Sequence, residues 1–141
     1  MKSVKLNMKN IHHGNLILVN KGNSIRLEES EIIGDLVPVC NTSHLLRKDV
    51  AELIHGILKE IDINNEIVAV SCFRTKEEQE EIYNSSIKEN GIKFTKKYVA
   101  IPDESEHQSG LAIDLGKKSP DIDFICPDFP YYGVFNEFRV K

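Results

Sequence analysis

One stripe of apolar residues constrains this chain more than any other feature. Leu46, Val50, Leu53, Ile54, Ile57, Leu58 and Ile61 recur three and four positions apart. That spacing places them on one face of an α-helix, because successive helical residues turn by about 100°. It predicts an amphipathic helix from about His44 to Ile61, with Asn41, Thr42 and Ser43 ahead of it as side chains able to cap its first amides. A chain built around such a helix needs another element to cover the stripe, and the rest of the sequence supplies strand-like candidates.

Ile67 to Phe73, IVAVSCF, is rich in β-branched and apolar residues and reads as a buried strand. Thr75 followed by Glu78 forms a capping box, and a helix from about Lys76 to Glu89 should follow, ended by Asn90-Gly91. Asn15 to Asn20, Leu36 to Val39, Tyr98 to Ile101 and Gly110 to Leu115 read as short strands, and Val134 to Lys141 as the start of a last helix. Strands and helices that do not alternate regularly imply an α+β fold, a small mostly antiparallel sheet flanked by helices. With 141 residues, no internal repeat and no linker-like tract, residues 1–141 are expected to form a single domain.

Composition narrows the function classes. The net charge is −4, which argues against nonspecific nucleic-acid binding. Lys93, Lys96 and Lys97 therefore read as a solvated surface rather than a nucleic-acid site. No apolar run has the roughly 20 residues of a membrane span. MKSVKLNMKN has a basic start without the apolar stretch of a secretory signal. Cys40, Cys72 and Cys126 are odd in number and widely spaced, which suits thiols in a reducing compartment, so the cytoplasm is the expected location.

Chemistry concentrates in Ser105-Glu106-His107-Gln108-Ser109-Gly110-Leu111-Ala112-Ile113-Asp114. In the strand expected at 110–115, Leu111, Ile113 and Leu115 share one face, and Ala112 and Asp114 the other. An aspartate in an apolar strand is unfavourable to bury unless it is paired or bound to a cation. His107 and Asp114 could supply two of the three protein ligands of a catalytic zinc, or be an exposed histidine and a strand-end aspartate held by an arginine. Arg74 leaves the buried strand at the entry to a helix, where its planar fork suits a carboxylate or a developing oxyanion, although a surface ion pair is the commoner fate. Gln79, on the first turns of that helix, could point the same way. The His12-His13 pair, His55 and Cys72 carry weaker signals: adjacent histidines rarely share a face, His55 lies mid-helix, and Cys72 has no base beside it in sequence.

Three segments, SCFRTKEEQ, KFTKKYVAIPDESEHQSGLAIDLG and DFICPDFPYYGVFNEFR, resemble the VanY and VanXY group of vancomycin-resistance zinc D-alanyl-D-alanine peptidases, of hedgehog-like metallopeptidase fold. NLILVNK resembles that group's opening strand. The SxHxxGxAxD pattern is met by Ser105, His107, Gly110, Ala112 and Asp114. The resemblance implies that His107 and Asp114 are zinc ligands, that Ser105 and Gln79 hold substrate, and that Arg74 is catalytic, stabilising the charge that develops on the scissile carbonyl or holding the substrate carboxylate. It implies removal of a terminal D-Ala from D-Ala-D-Ala-ended peptidoglycan precursors, with Zn2+ as cofactor.

Two departures accompany it. Cys72 stands where the group usually has Gly. The group's final E-P-W-H segment, with the catalytic Glu and the third zinc ligand, is not matched, since the sequence has no Trp and no His after His107. The expectations are thus a C-terminally shortened peptidase of doubtful activity, or an inactive remnant that binds peptidoglycan peptides or zinc. A homodimer covering the missing segment is a further expectation. A small interaction domain whose His107 and Asp114 are structural is the rival from another class.

Overall fold

The computed structural model describes residues 5, 7–12 and 14–141. After a short 3-10 turn at Met8–His12 come α1 (Glu29–Ile33), β1 (Leu36–Pro38), β2 (Leu45–Arg47), α2 (Lys48–Ile61) and β3 (Ile67–Ser71). Then follow α3 (Lys76–Asn90), α4 (Ile92–Tyr98), β4 (Asp114–Lys117) and α5 (Gly133–Val140). The strands form two antiparallel ribbons, β1 with β2 and β3 with β4. The class is the expected α+β. No helix among the described residues is long and apolar enough to cross a membrane.

The chain divides into two compact units. One comprises the residues up to Ile33 together with Arg74–Ser109, and the other comprises Gly34–Phe73 with Gly110–Lys141. In the second unit the core is Val39, Leu46, Ala51, Ile54 and Cys72, with Val50, Leu58, Ala69, Ile113 and Phe138 packed against it. The apolar stripe thus serves the core through Val50, Ile54 and Leu58, but Leu53 is 62% exposed. Helix α2 also starts later than its periodicity predicts. Leu45–Arg47 pair with Leu36–Pro38, and Phe73 donates its amide to Leu45 O at 2.9 Å, so ribbon pairing claims these residues first. Asn41, Thr42 and Ser43 accordingly form the turn between β1 and β2 instead of capping a helix. Cys40 and Asn41 take positive φ of 48° and 60°, and Thr42 Oγ1 donates to Val39 O at 2.7 Å.

Asp62 closes α2 and starts β3. Its two carboxylate oxygens accept the amides of Glu66 and Ile67 at 2.8 and 2.9 Å. Near the end of β3 the register slips: Ala69 faces Leu115, but Ser71 faces Asp114, leaving Val70 as an extra residue. Such a bulge twists a strand and redirects its side chains.

The first unit is organised by α3 and α4. The capping box forms as expected, with Thr75 Oγ1 accepting from the Glu78 amide and the Glu78 carboxylate accepting from the Thr75 amide. Gly91, at φ 82°, ends α3, but α4 follows at once rather than a loop. A buried Ser86–Thr95 hydroxyl pair at 2.8 Å locks the two helices together.

Several strand expectations fail. Asn15 to Asn20 forms no strand; its one feature of that kind is a bridge between Asn20 and Asn23. Tyr98 ends a helix, and Val99 to Ile101 have no strand pairing. The strand expected at 110–115 begins only at Asp114, and Leu111 to Leu115 are all half-buried, so the two-faced alternation read from the sequence is absent.

Candidate active site

In the first unit, Arg74 precedes the capping box and Gln79 lies one turn into α3. The helix start brings the two side chains together: Arg74 Nη1 donates to Gln79 Oε1 at 2.9 Å. Gln79 is 1% exposed, and its Nε2 donates to Ala100 O at 2.7 Å. Both ends of the amide are therefore used, which fixes its orientation and, through it, restrains the guanidinium at Nη1. The Arg74 amide donates to His107 O at 3.4 Å, so the strand exit is tied to the motif segment.

The motif is a 3-10 turn, Glu106–Ser109, rather than a loop. Ser105 is buried and its carbonyl accepts the Gln108 amide at 3.1 Å. Ser109 Oγ donates to Glu106 O at 2.6 Å. Gln108 Oε1 accepts the amide of Asp103 at 2.7 Å, and Asp103, at φ 69°, pairs with Lys76 Nζ at 2.5 Å. The sequence does not single out this Lys76–Asp103–Gln108 chain or Ala100. Its only visible trace was polar density around the histidine, which does not reveal which side chains meet. Thus Arg74, Gln79, Ser105 and His107 all belong to the first unit.

Asp114 belongs to the second unit. It opens β4 opposite Ser71, at the bulge. The Asp114 charge also reaches Cys72: burial first, then Asp114 and then Cys40, push the Cys72 thiol up to about 12. Cys72 is 1% exposed and is a core residue. His55 lies exposed on α2. His12 is described, but its neighbour His13 lies outside the described residues.

Histidine nitrogen and aspartate oxygen are both donors that zinc accepts. Among the described residues, however, no group of three or more His, Cys, Asp or Glu side chains is placed to hold a metal. These residues match the donor type of a zinc centre but do not complete a three-ligand one.

An α+β chain thus holds a half-buried arginine on a buried glutamine, beside a histidine-bearing turn. Residues 43–128 match the family model VanY, D-alanyl-D-alanine carboxypeptidase, and the chain belongs to that family. It is 37% identical over 115 residues to VanXYC of Enterococcus gallinarum, a bifunctional D-Ala-D-Ala dipeptidase and carboxypeptidase; the match covers 81% of this chain and 60% of that protein. The crystal structure of the D,D-dipeptidase VanXYg in complex with a D-Ala-D-Ala phosphinate analogue superposes with a TM-score of 0.86 at 48% identity, covering 99% of this chain and 55% of the other. A VanY D,D-pentapeptidase solved with Zn(II) gives a TM-score of 0.62 at 25% identity, over 75% of this chain and 63% of that one. The chain therefore spans little more than half the length of VanXYC and VanXYg. The homodimer expected from the sequence finds no support in these relatives.

Proposed function

We propose that this chain binds peptides ending in D-Ala-D-Ala and takes part in removing their terminal D-Ala. The single observation that carries the reading is the Arg74–Gln79 hydrogen bond at 2.9 Å, anchored on Ala100, in a chain of the VanY family. A guanidinium already held at one nitrogen presents its remaining N–H donors to a carboxylate, or to an oxyanion as it forms, with less left to order. Arg74 is the residue that does this. Gln79 is its positioning residue, and Ser105, buried two positions before His107, contributes to the same grip. His107 and Asp114 are zinc ligands in this reading. The VanXYC relative cleaves D-Ala-D-Ala, and a VanY relative has been solved with zinc; both support the assignment of substrate and metal. Three thiols suit the cytoplasm, where such precursors are made.

The test is calorimetric binding of D-Ala-D-Ala with zinc present, together with an assay for released D-Ala. Arg74→Ala should weaken peptide binding about tenfold or more, the scale of a lost charge-assisted hydrogen bond. His107→Ala and Asp114→Asn should each lower zinc affinity in chelator competition. Peptide binding indifferent to Arg74→Ala, with zinc binding indifferent to both ligand substitutions, overturns the reading. Binding with no D-Ala release leaves a peptide-binding protein without turnover.

A further inference from the structure

The cavities of the described surface include three of comparable size. One, in the first unit, is lined by acidic side chains that outnumber its Arg26 and Lys76. Another, beside Cys40 and His55 in the second unit, shares no residue with the proposed substrate grip. The remaining one, about 500 Å3 in the first unit, differs in both respects. Lys21, Lys96 and Lys97 edge it, and Tyr83 and Tyr98 form aromatic walls. Its one carboxylate, Glu104, accepts the Gly22 amide at 3.0 Å, which ties the Lys21 turn to the cavity rim.

We propose that this cavity receives an anionic group, carboxylate or phosphate, carried upstream on the same peptide that Arg74 holds at its D-Ala-D-Ala end. The proposal rests on the preceding functional reading for the identity of that peptide. Three observations carry it. First, three lysines line the cavity against one carboxylate in a protein whose overall charge is −4, a local reversal of sign that concentrates anions. Second, the cavity shares a residue with the support of the grip: Ala100 lines it, and the Ala100 carbonyl accepts the hydrogen bond from Gln79 at 2.7 Å. A ligand reaching past the clamp has this wall to follow. Third, the walls are pre-formed. Ser86 and Thr95 lock α3, which carries Tyr83, to α4, which carries both lysines. Tyr98 packs on Phe94 with ring centres 4.7 Å apart, and Lys97 Nζ lies 4.9 Å from the Tyr98 ring centre. A cavity of this size with apolar walls and a few fixed charges has the form of a ligand subsite. The Lys96–Lys97 pair is thus more than solvated surface.

The experiment compares four probes on the zinc-supplemented full chain by calorimetry: the D-Ala-D-Ala dipeptide, a longer D-Ala-D-Ala peptide with an upstream glutamate, its glutamine twin, and inorganic pyrophosphate as competitor. The glutamate peptide should bind about tenfold tighter than its twin at low salt. That preference should shrink at high salt, because exposed charges are screened. The double variant Lys96→Gln, Lys97→Gln should abolish the preference and leave dipeptide affinity unchanged. Pyrophosphate that displaces the glutamate peptide identifies phosphate as the stronger source of the anion, and failure to displace it identifies carboxylate. Equal affinity for the two twins, or a preference that survives the double substitution, overturns the proposal. A lysine-dependent preference without any dipeptide binding keeps the anion subsite and rejects the D-Ala-D-Ala reading instead.

Discussion

Gln79 shows how much one side chain settles in this protein. It is buried, it accepts from Arg74, and it donates to Ala100. Replacing it with methionine keeps the volume but removes both bonds, leaving a carbonyl and a guanidinium nitrogen without these partners. Gln79→Met should therefore lower stability by about 1–3 kcal/mol in urea unfolding, and weaken D-Ala-D-Ala binding more than zinc binding. The thiols make a second test. Cys72 is pushed up to about 12 and Cys40 is also raised, both first by burial, so both are protonated at pH 8, while Cys126 is exposed. A disulfide reagent at pH 8 should meet one fast thiol and two slow ones, and Cys126→Ser should remove the fast phase. The sign of the linked stability follows: the unfolded Cys72 thiol ionises near 9.0 and the folded one near 12, so its contribution is intact below pH 9 and is lost as pH rises through that interval. Arg74 and Gln79 were visible in the sequence as residue types at the right entry to a helix. Their bond and its Ala100 anchor were not, because a contact over 21 residues leaves no periodic trace.

Among the elements, α3 was the most legible, since its start is written in local chemistry. Thr75 and Glu78 satisfy each other's amides whatever the rest of the chain does. Thr75→Ala should reduce stability by about 1 kcal/mol in chemical denaturation, and any loss of peptide affinity would show how far the helix start aims Arg74. Helix α2 was half legible: its stripe was real, but pairing with Leu36–Pro38 took Leu45–Arg47 into a strand. Short strands were the least legible, because three or four residues hold too little pattern to separate ribbon from turn. Gly116 marks where β4 is tightest. A Cβ there would lie 2.9 Å from Val70 Cγ2 and 3.1 Å from Pro127 Cβ. Gly116→Ala should cost about 1–3 kcal/mol through overpacking, read as a lower thermal midpoint; an unchanged midpoint would show that this edge relaxes freely.

At the scale of the whole molecule, the α+β class and the family were legible from three motif-bearing segments, whereas the division into two compact units was not. No boundary in composition marks it, since each unit is assembled from two separate stretches of chain. Metal binding is the test at this scale. Zinc at a hundred times its dissociation constant should stabilise the folded chain by about 2.7 kcal/mol, and His107→Ala or Asp114→Asn should erase that gain in thermal melts. The Arg74–Gln79 contact has a different standing. Its partners are five residues apart in sequence, across a helix that nucleates from its own cap. Forming it closes almost no loop, and loop closure is what slows the assembly of distant groups. The Arg74–Gln79 contact should therefore be in place early in folding and reappear first after denaturation, ahead of any feature that needs both ends of the chain.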